Sequence, residues 1–216
     1  MTTYRSQTSV PPLVEQAMVL AHRMGFENSC LPEVGRLLFV LTGGVRAGTI
    51  GEVGTGCGVG AAWITSALTG GSRFLTVEID DTRASSAAAL FQKYPDVQVL
   101  HSNWPALLAH GPFDLLFVDA SPAKYDEPDR VMRSLRPGGL VVLDDLTPVE
   151  YWPPEWQGRP DVVRDFWLND AGLRATEIRT TSRTAAILAT RIGSVAYHAG
   201  TDAMGATRDP SRPVHA

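Results

Sequence analysis

The chain has 216 residues, of which 44% are hydrophobic, and its formal net charge is −4 at pH 7. A chain of this length can bury one substantial core and is short for two. The acidic balance disfavours a general binder of nucleic acids or membrane surfaces, because such proteins normally carry a basic field. We therefore expect a single soluble domain of the size of a small enzyme.

Three further features predict a cytoplasmic location. Residues 1–11 contain no apolar segment of the kind found in signal peptides. No run of residues is long and apolar enough to span a bilayer. The two cysteines, Cys30 and Cys57, are too few for a disulfide framework.

The hydrophobic pattern predicts helices and strands that alternate along most of the chain. Residues 1–11 are polar and expected to be loose, and residues 192–216 read as a flexible tail. The predicted helices are 12–24, 32–41, 58–69, 81–93, 104–109, 126–136 and 161–171. The predicted strands are 49–53, 73–79, 97–101, 113–118, 140–143, 175–180 and 184–190.

This alternation predicts an α/β fold. Repeated strand–helix units require parallel strands joined by right-handed crossovers, with helices on both faces of the sheet. The short polar turn at residues 181–183 joins the last two strands, so we expect a hairpin that adds an antiparallel strand at the sheet edge. The expected architecture is one Rossmann-like, doubly wound domain over residues 1–191, with a seven-stranded, mostly parallel sheet.

Residues 49–60, TIGEVGTGCGVG, predict a ligand-binding turn. An apolar strand carrying Glu52 runs into a glycine-rich turn, and an alanine-rich helix follows. Glycine lets a backbone approach a ligand closely, and the free N–H groups of a helix N-terminus face whatever is bound. Glu78 ends the next strand at the spacing where an acid can bind a ribose hydroxyl. The alternative is a glycine-rich turn without a ligand.

Acidic side chains follow several predicted strands, at the edge where such sheets bind ligands. Asp119 comes after the fourth strand, and Asp144 and Asp145 come after the fifth. Three acids at neighbouring strand ends repel one another in a partly desolvated cleft unless they are protonated or share a cation. The alternative for Asp144 and Asp145 is a helix cap or a loop pair.

Four motifs carry a family resemblance through their order and spacing: EVGTGCGVG, TVEID, FDLLFVDA and LRPGGLVVLDD. The chain resembles the class I methyltransferases that use S-adenosylmethionine, and among them the metal-dependent O-methyltransferases of the catechol and caffeoyl-CoA type. The resemblance covers about residues 28–191. The glycine motif alone also fits a GxGxxA dinucleotide fingerprint through Gly56, Gly58 and Ala61, whereas its combination with PGG and DD is more specific.

The resemblance implies S-adenosylmethionine as cofactor. Glu78 would accept hydrogen bonds from both ribose hydroxyls, and Ile79 would lie along the adenine. Gly60 stands where the family often has a serine that bonds the cofactor carboxylate, so this contact is missing. The residues implied at the cofactor are Cys30, Glu52, Gly54, Thr55, Gly58, Gly60, Glu78, Ile79, Ser102, Asn103 and Asp119.

The resemblance also implies a metal site. Asp119, Asp144 and Asp145 fall on the family's three metal ligands, of which the third is usually an asparagine. An all-oxygen, carboxylate-rich set suits Mg²⁺, our first choice, or Mn²⁺ or Ca²⁺. The extra charge of Asp145 should strengthen binding of a divalent cation and raise the repulsion when no cation is bound.

The family's general base is displaced in this sequence. The family commonly has a lysine three residues after the first metal aspartate, and here that position is Pro122, with Lys124 two residues later. Arginine outnumbers lysine, seventeen to two, and arginine cannot act as a base, whereas a desolvated lysine near a cation can. Lys124 and Asp119 are therefore the candidate catalytic residues. The alternative for Lys124 is a solvated charge, with a bound cation acidifying the acceptor hydroxyl.

Aromatic residues in a proline-rich segment after the fifth strand suggest the acceptor site. Tyr151, Trp152 and Trp156, with Tyr125, suit a wall for a flat apolar substrate. We expect Phe166 and Trp167, on a predicted helix, to be core residues instead.

The sequence thus predicts an O-methyltransferase acting on a small, aromatic, vicinal dihydroxy acceptor with a divalent cation. Alternatives are a methyltransferase with another acceptor, metal-independent or acting on a tRNA nucleoside, a nucleotide-dependent oxidoreductase, and a cofactor-binding protein without transferase activity. The acidic balance disfavours a tRNA substrate. A homodimer is common in the family that the chain resembles, and we expect no membrane partner.

Overall fold

The computed structural model describes residues 9–193. The loose segment predicted at residues 1–11 and the tail predicted at residues 192–216 lie mostly outside the described residues. Within the described range, no helix has the length and apolar character needed to cross a membrane. The helices are α1 Pro12–Arg23, α2 Pro32–Gly44, α3 Val59–Ala67, α4 Asp81–Phe91, α5 Pro105–Leu108, α6 Ser121–Tyr125, α7 Pro128–Arg133 and α8 Val162–Asn169, with one 3-10 turn at Val149–Tyr151.

The strands form a single sheet in the order β3-β2-β1-β4-β5-β7-β6. They are β1 Thr49–Val53, β2 Arg73–Glu78, β3 Val97–His101, β4 Phe113–Val118, β5 Leu135–Leu146, β6 Leu173–Arg179 and β7 Ala185–Arg191. Strands β1 to β5 pair in parallel, and β7 is antiparallel to both of its neighbours. The predicted α/β fold is confirmed. The strand order reverses between β1 and β4, so their carboxyl ends border the crevice where such sheets bind ligands.

Helices cover both faces of the sheet, because alternate strand residues are apolar on opposite faces. In β4, Leu115 packs into a core shared with α1 to α4, and Leu116 packs into a second core shared with α5 to α8. Trp167 is fully buried in this second core, and Phe166 packs against it partly buried, as expected.

The position of the antiparallel strand differs from the prediction. The antiparallel strand β7 lies between β5 and β6, and β6 is the edge strand. Burial explains the arrangement, because most residues of β7 are buried, whereas after the buried Leu173 the residues of β6 are exposed or only partly buried. A strand apolar on both faces belongs inside a sheet, and a half-polar strand can face solvent.

The helix predicted at residues 126–136 is confirmed only over Pro128–Arg133. The chain instead forms two short helices, α6 and α7, and β5 begins at Leu135. Pro128 has no N–H to donate, so it starts a new helix at its first turn instead of continuing one. Residues 137–139, which carry the PGG motif, lie within β5, where the pairing with β4 shifts register between Phe113 and Leu115.

Helix α2 packs against α3 through a glycine. A Cβ on the buried Gly35 would overlap the indole ring of Trp63, which is itself buried in α3. Trp63 is held further by the edge of Phe39, with ring centroids 6.2 Å apart, and by the guanidinium of Arg36, 5.4 Å from the ring centroid. The tryptophan therefore has little room to move.

We expect Gly35→Ala to destabilise the protein by about 1 to 3 kcal/mol, the usual cost of overpacking a core. The matched control is Gly43→Ala in the same helix, where a Cβ would meet nothing within 4 Å. That substitution should be neutral or stabilising by up to about 1 kcal/mol, because alanine favours the helix over glycine. Urea unfolding of both variants measures the difference in stability. Equal stabilities would contradict the prediction and show that the Trp63 ring can shift to accommodate the extra methyl group.

Candidate active site

The turn after β1 brings backbone and acids together. Gly54 has φ +95° and Gly56 has φ +53°, values that side chains other than glycine rarely adopt. A Cβ on Gly54 would also lie 3.2 Å from the backbone nitrogen of Ala120, so the turn packs directly against the chain after β4. The N–H of Gly56 donates to Oε2 of Glu78 at 2.8 Å. This hydrogen bond links the turn after β1 to the carboxyl end of β2.

A cleft of about 490 Å³ opens over this turn. Its volume falls in the range of small-molecule and cofactor sites. Most of the residues expected at the cofactor line it, namely Cys30, Glu52, Gly54, Thr55, Gly60, Glu78, Ile79, Ser102, Asn103 and Asp119. We call it the polar cleft.

Gly58 is the exception, because it does not line the polar cleft. A Cβ at this position would lie 3.1 Å from the ring of Phe91 in α4. Gly58 therefore permits the first turn of α3 to approach α4, and its N–H donates to the carbonyl of Thr55 at 2.8 Å.

Glu52 is a buried acid under the glycine turn. Its Oε2 accepts a hydrogen bond from the Thr76 hydroxyl at 2.6 Å, and Thr76 is in turn 2.5 Å from the Thr55 hydroxyl. Burial raises the pKa of Glu52 well above its usual value, and Asp119 and Glu78 raise it further, whereas the bond from Thr76 lowers it. The carboxyl group can therefore hold a proton in the absence of a cation.

The same carboxyl group explains why a serine is missing at position 60. A Cβ on Gly60 would lie 2.5 Å from Oε1 of Glu52 and 3.0 Å from Cε1 of Phe117. With Glu52 in this position, any side chain at residue 60 would overlap it. The departure from the family pattern is thus a packing consequence.

Glu78 is nearly buried and already accepts several hydrogen bonds. Besides Gly56, its carboxylate binds the N–H of Asp80 at 2.9 Å and the guanidinium of Arg83 at 2.8 Å. Arg83 also lies over the ring of Phe26, 5.4 Å from its centroid. Sequence reasoning missed both Arg83 and Phe26 as lining residues of the polar cleft. Arg83 could have been found from its position in the first helical turn after the acidic strand end.

Cys30 lines the polar cleft but is not a nucleophile. Burial, and then the charges of Asp144 and Asp119, raise the pKa of its thiol well above the usual value. The thiol stays protonated, and only the thiolate is strongly nucleophilic.

The three predicted metal ligands converge. One side-chain oxygen from each of Asp119, Asp144 and Asp145 lies within 4.8 Å of the others, and they are the only group of this kind among residues 9–193. We call them the acid cluster. Asp145 has φ +57°, a conformation that aspartate and asparagine tolerate better than most residues. Oδ1 of Asp144 is buried and has no hydrogen-bond partner.

Electrostatics show that the acid cluster is under repulsion. Burial is the main cause that raises the pKa of Asp119 to about 7, with Lys124 opposing it and the other two acids adding to it. Burial, followed by the charge of Asp145, raises the pKa of Asp144 to about 6. Convergent oxygens with one unpaired buried acceptor fit a hard divalent cation.

Lys124 is not a solvated charge, so that alternative is wrong. Its side chain is buried, and Nζ donates to the backbone carbonyl of Asp144 at 2.6 Å. It lines neither the polar cleft nor the second cleft described below. Pro122, in the position of the family's lysine, does line the polar cleft.

A second cleft of about 330 Å³ adjoins the acid cluster. Tyr125, Trp152 and Trp156 line it, as expected of an acceptor wall, and we call it the aromatic cleft. The two tryptophan rings meet edge to face at 6.2 Å, and Nε1 of Trp152 donates to the carbonyl of Thr147 at 3.0 Å. Asp145 lines both clefts, so the acid cluster lies at their junction.

Tyr151 does not belong to this wall. It is exposed, lines neither cleft and lies under the guanidinium of Arg183, 5.0 Å from the ring centroid. Tyr151 is the last residue of the 3-10 turn at Val149–Tyr151, and Trp152 follows directly after it.

Comparison with known proteins agrees with the motifs. A family model described as "Methyltransferase domain" matches residues 52–146. One relative is a protein of Mycobacterium avium (strain 104) that is provisionally named an O-methyltransferase. It is 33% identical to this chain over 125 residues, which are 52% of this chain and 54% of that protein. Catechol O-methyltransferase of Niastella koreensis is 31% identical over 128 residues, 55% of this chain and 58% of that enzyme.

A solved structure shows the same fold. It is the O-methyltransferase TomG from Streptomyces achromogenes, which is involved in tomaymycin synthesis and was solved in complex with S-adenosylmethionine. The two structures superimpose with a TM-score of 0.71 over 87% of this chain and 93% of that chain, at 24% sequence identity. The chain spans about half the length of the sequence relatives that it matches. The comparisons confirm the resemblance to class I S-adenosylmethionine-dependent methyltransferases.

The raised pKa values predict how the metal-free protein responds to pH. A carboxyl group with a raised pKa in the folded state stabilises the fold at low pH, and this stability is lost as pH rises from about 4 to about 7. In the presence of a chelator, we expect wild type to lose stability between pH 5 and 8. Asp144→Asn should lose clearly less, because one of the crowded charges is gone.

Urea unfolding at pH 5 and pH 8 measures this loss of stability. The control is Glu155→Gln, which should behave like wild type because Glu155 is an exposed acid outside both clefts. Glu52 is present in all three proteins, so the difference in pH dependence between wild type and Asp144→Asn reports on the acid cluster alone. Mg²⁺ or Mn²⁺ should restore stability to wild type at pH 8 by binding the folded state. Identical pH dependence in wild type and Asp144→Asn would contradict the assignment.

Proposed function

We propose that the protein transfers the methyl group of S-adenosylmethionine to a hydroxyl of a small aromatic vicinal diol, with the help of a divalent cation. The observation that carries this proposal is the junction of the two clefts at the acid cluster. A polar cleft for a cofactor and an aromatic cleft for a flat acceptor share Asp145 as a common lining residue.

The charge of the polar cleft favours this cofactor over a dinucleotide. Glu52, Glu78 and Asp119 line the cleft, which suits a ligand carrying a sulfonium and an ammonium group. A pyrophosphate would instead need free N–H groups at the glycine turn. The N–H of Gly56 is already bonded to Glu78. This disfavours the oxidoreductase alternative.

The residues that would hold the divalent cation are Asp119, Asp144 and Asp145. Their oxygens converge, and the unpaired buried Oδ1 of Asp144 is the acceptor that such an ion would satisfy. A bound cation of this kind lowers the pKa of a coordinated hydroxyl. Mg²⁺ is the first choice, and Mn²⁺ and Ca²⁺ share its preference for oxygen ligands.

The chain's own residues bind and orient the reactants. Glu78 retains acceptor capacity for ribose hydroxyls at the end of β2, and the walls of Trp152 and Trp156 exclude water and fix the plane of the acceptor ring. In the transfer, the acceptor hydroxyl would lose its proton to solvent. Its oxyanion would then form a bond to the methyl carbon while the carbon–sulfur bond breaks and the electron pair of that bond stays on sulfur. The rate would come mainly from alignment and charge stabilisation.

Lys124 acts, in this proposal, as a positioning residue for the acid cluster. Its ammonium bonds the carbonyl of Asp144 from the buried side and lowers the pKa values of Asp119 and Asp144. Direct proton transfer from the acceptor would require Lys124 to leave this hydrogen bond. The sequence-based assignment of Lys124 as a catalytic base therefore stays a prediction that kinetics must test.

The cytoplasmic location and the homodimer also stay predictions. They rest on the sequence and on the family resemblance, and cell fractionation and light scattering of the purified protein would test them. A location outside the cytoplasm or a monomer at all concentrations would count against them.

Binding of the cofactor tests the proposal first. Calorimetry should detect S-adenosylmethionine and S-adenosylhomocysteine but not NAD. Glu78→Gln should weaken S-adenosylmethionine binding by about 1.5 to 3 kcal/mol, the range for hydrogen bonds to a charged group. Asp81→Asn is the control, because its exposed carboxyl lies nearby on α4 but does not line the polar cleft.

Turnover of a catechol panel then tests the transfer, and exhaustive chelation should abolish it. NAD binding without S-adenosylmethionine binding would support the oxidoreductase instead. Full activity without a divalent cation would remove the metal from the proposal.

Lys124→Gln separates the two roles of Lys124, because it keeps an N–H donor on a slightly shorter side chain but removes the charge and the basic group. A positioning role predicts a loss in kcat of about 10²-fold or less, with the pH dependence shifted toward higher pH because the charge that lowers the pKa values of Asp119 and Asp144 is gone. Divalent-cation affinity should rise, because a competing positive charge is removed. A loss of about 10³-fold or more, with the pH dependence of kcat abolished, would identify lysine as the principal base.

A further inference from the structure

We infer that the acceptor carries a carboxylate, which the guanidinium of Arg159 binds in the aromatic cleft. This inference rests on the proposed function and narrows its substrate class. It comes from the distribution of charge around the cleft.

Arg159 is an exposed cation without a partner. It lines the aromatic cleft together with Trp156, and only its backbone is bonded, with its N–H donating to the Trp156 carbonyl at 3.1 Å. Among residues 9–193, no carboxylate lies within 4.0 Å of its guanidinium. Most other described arginines do bond an acid, a carbonyl or an aromatic ring.

The other cation of the aromatic cleft is fully engaged. Arg164 donates to the carboxylates of Glu177 and Asp161, at 2.5 and 2.6 Å, and to the carbonyl of Thr147 at 3.1 Å. This network neutralises Asp161, which also lines the cleft. Arg159 is therefore the one cation of this cleft that offers free N–H donors.

The size and character of the site favour a single carboxylate. One guanidinium matches one carboxylate through two parallel hydrogen bonds. A diphosphate or a nucleic-acid backbone would require several available cations, and the described cleft offers one. Its volume of about 330 Å³ and its tryptophan walls fit a compact ring. An aromatic diol carrying a carboxylate would place its hydroxyls toward Asp145 and its anion toward Arg159.

The experiment compares two acceptors that differ only in the anion, catechol and 3,4-dihydroxybenzoate. Arg159→Gln should raise KM for 3,4-dihydroxybenzoate by about 10-fold to about 100-fold, with kcat and the KM for catechol almost unchanged. Arg159→Lys should raise this KM less than Arg159→Gln does, because a lysine keeps the positive charge but lacks the paired N–H donors of a guanidinium. The control is Arg46→Gln. Arg46 is another exposed arginine without a described side-chain partner, and it lies in the loop before β1, so its substitution should alter neither KM.

Trp156→Ala tests the location, because it should raise KM for both acceptors alike. The inference is overturned if Arg159→Gln changes the two KM values equally or not at all, or if Trp156→Ala changes neither. These failures leave methyl transfer by the wild type intact. Absence of turnover on both diols would instead defeat the proposed function. In that case calorimetric binding of 3,4-dihydroxybenzoate to wild type, lost in Arg159→Gln, still decides whether Arg159 binds the anion.

Discussion

Repulsion between three carboxylates is the constraint around which the carboxyl edge of the sheet is built. Because β4 and β5 are parallel neighbours, the backbone brings Asp119 next to Asp144 and Asp145. Apolar packing cannot relieve that repulsion, and only protonation or positive charge can. Lys124 supplies one positive charge from the buried side. The remaining negative charge faces the junction of the clefts, so a cation bound there would stabilise the fold and complete the site together.

The two clefts differ in charge in a way that matches two different ligands. In the polar cleft, acids outnumber Arg83, which is already bound to Glu78. In the aromatic cleft, Arg164 is neutralised and Arg159 is not. A cationic methyl donor and an anionic acceptor would each meet the opposite charge. Their own attraction would favour the approach that transfer requires, at the point where Asp145 joins the two clefts.

The sequence predicted what periodicity and parallel topology determine. The bounds of β1, β3 and β4 and the convergence of the acid cluster follow from apolar runs whose polar ends share one edge. It could not predict features that depend on packing between distant segments. Burial of Lys124 depends on its contact with the distant end of β5, and the internal position of β7 depends on its pairing partners. The free guanidinium of Arg159 depends on which acids the neighbouring Arg164 binds.

The departures from the family pattern are coupled to their surroundings. The hypothesis of a cofactor-binding protein without transferase activity rested on two of them, the missing serine and the displaced lysine. A side chain at Gly60 would overlap the carboxyl group of Glu52, which is bonded to Thr76. The lysine has moved to position 124, where its charge still lies beside the acid cluster. Neither departure is therefore evidence of lost activity, because the glycine at residue 60 follows from packing and the charge of Lys124 still lies beside the acid cluster.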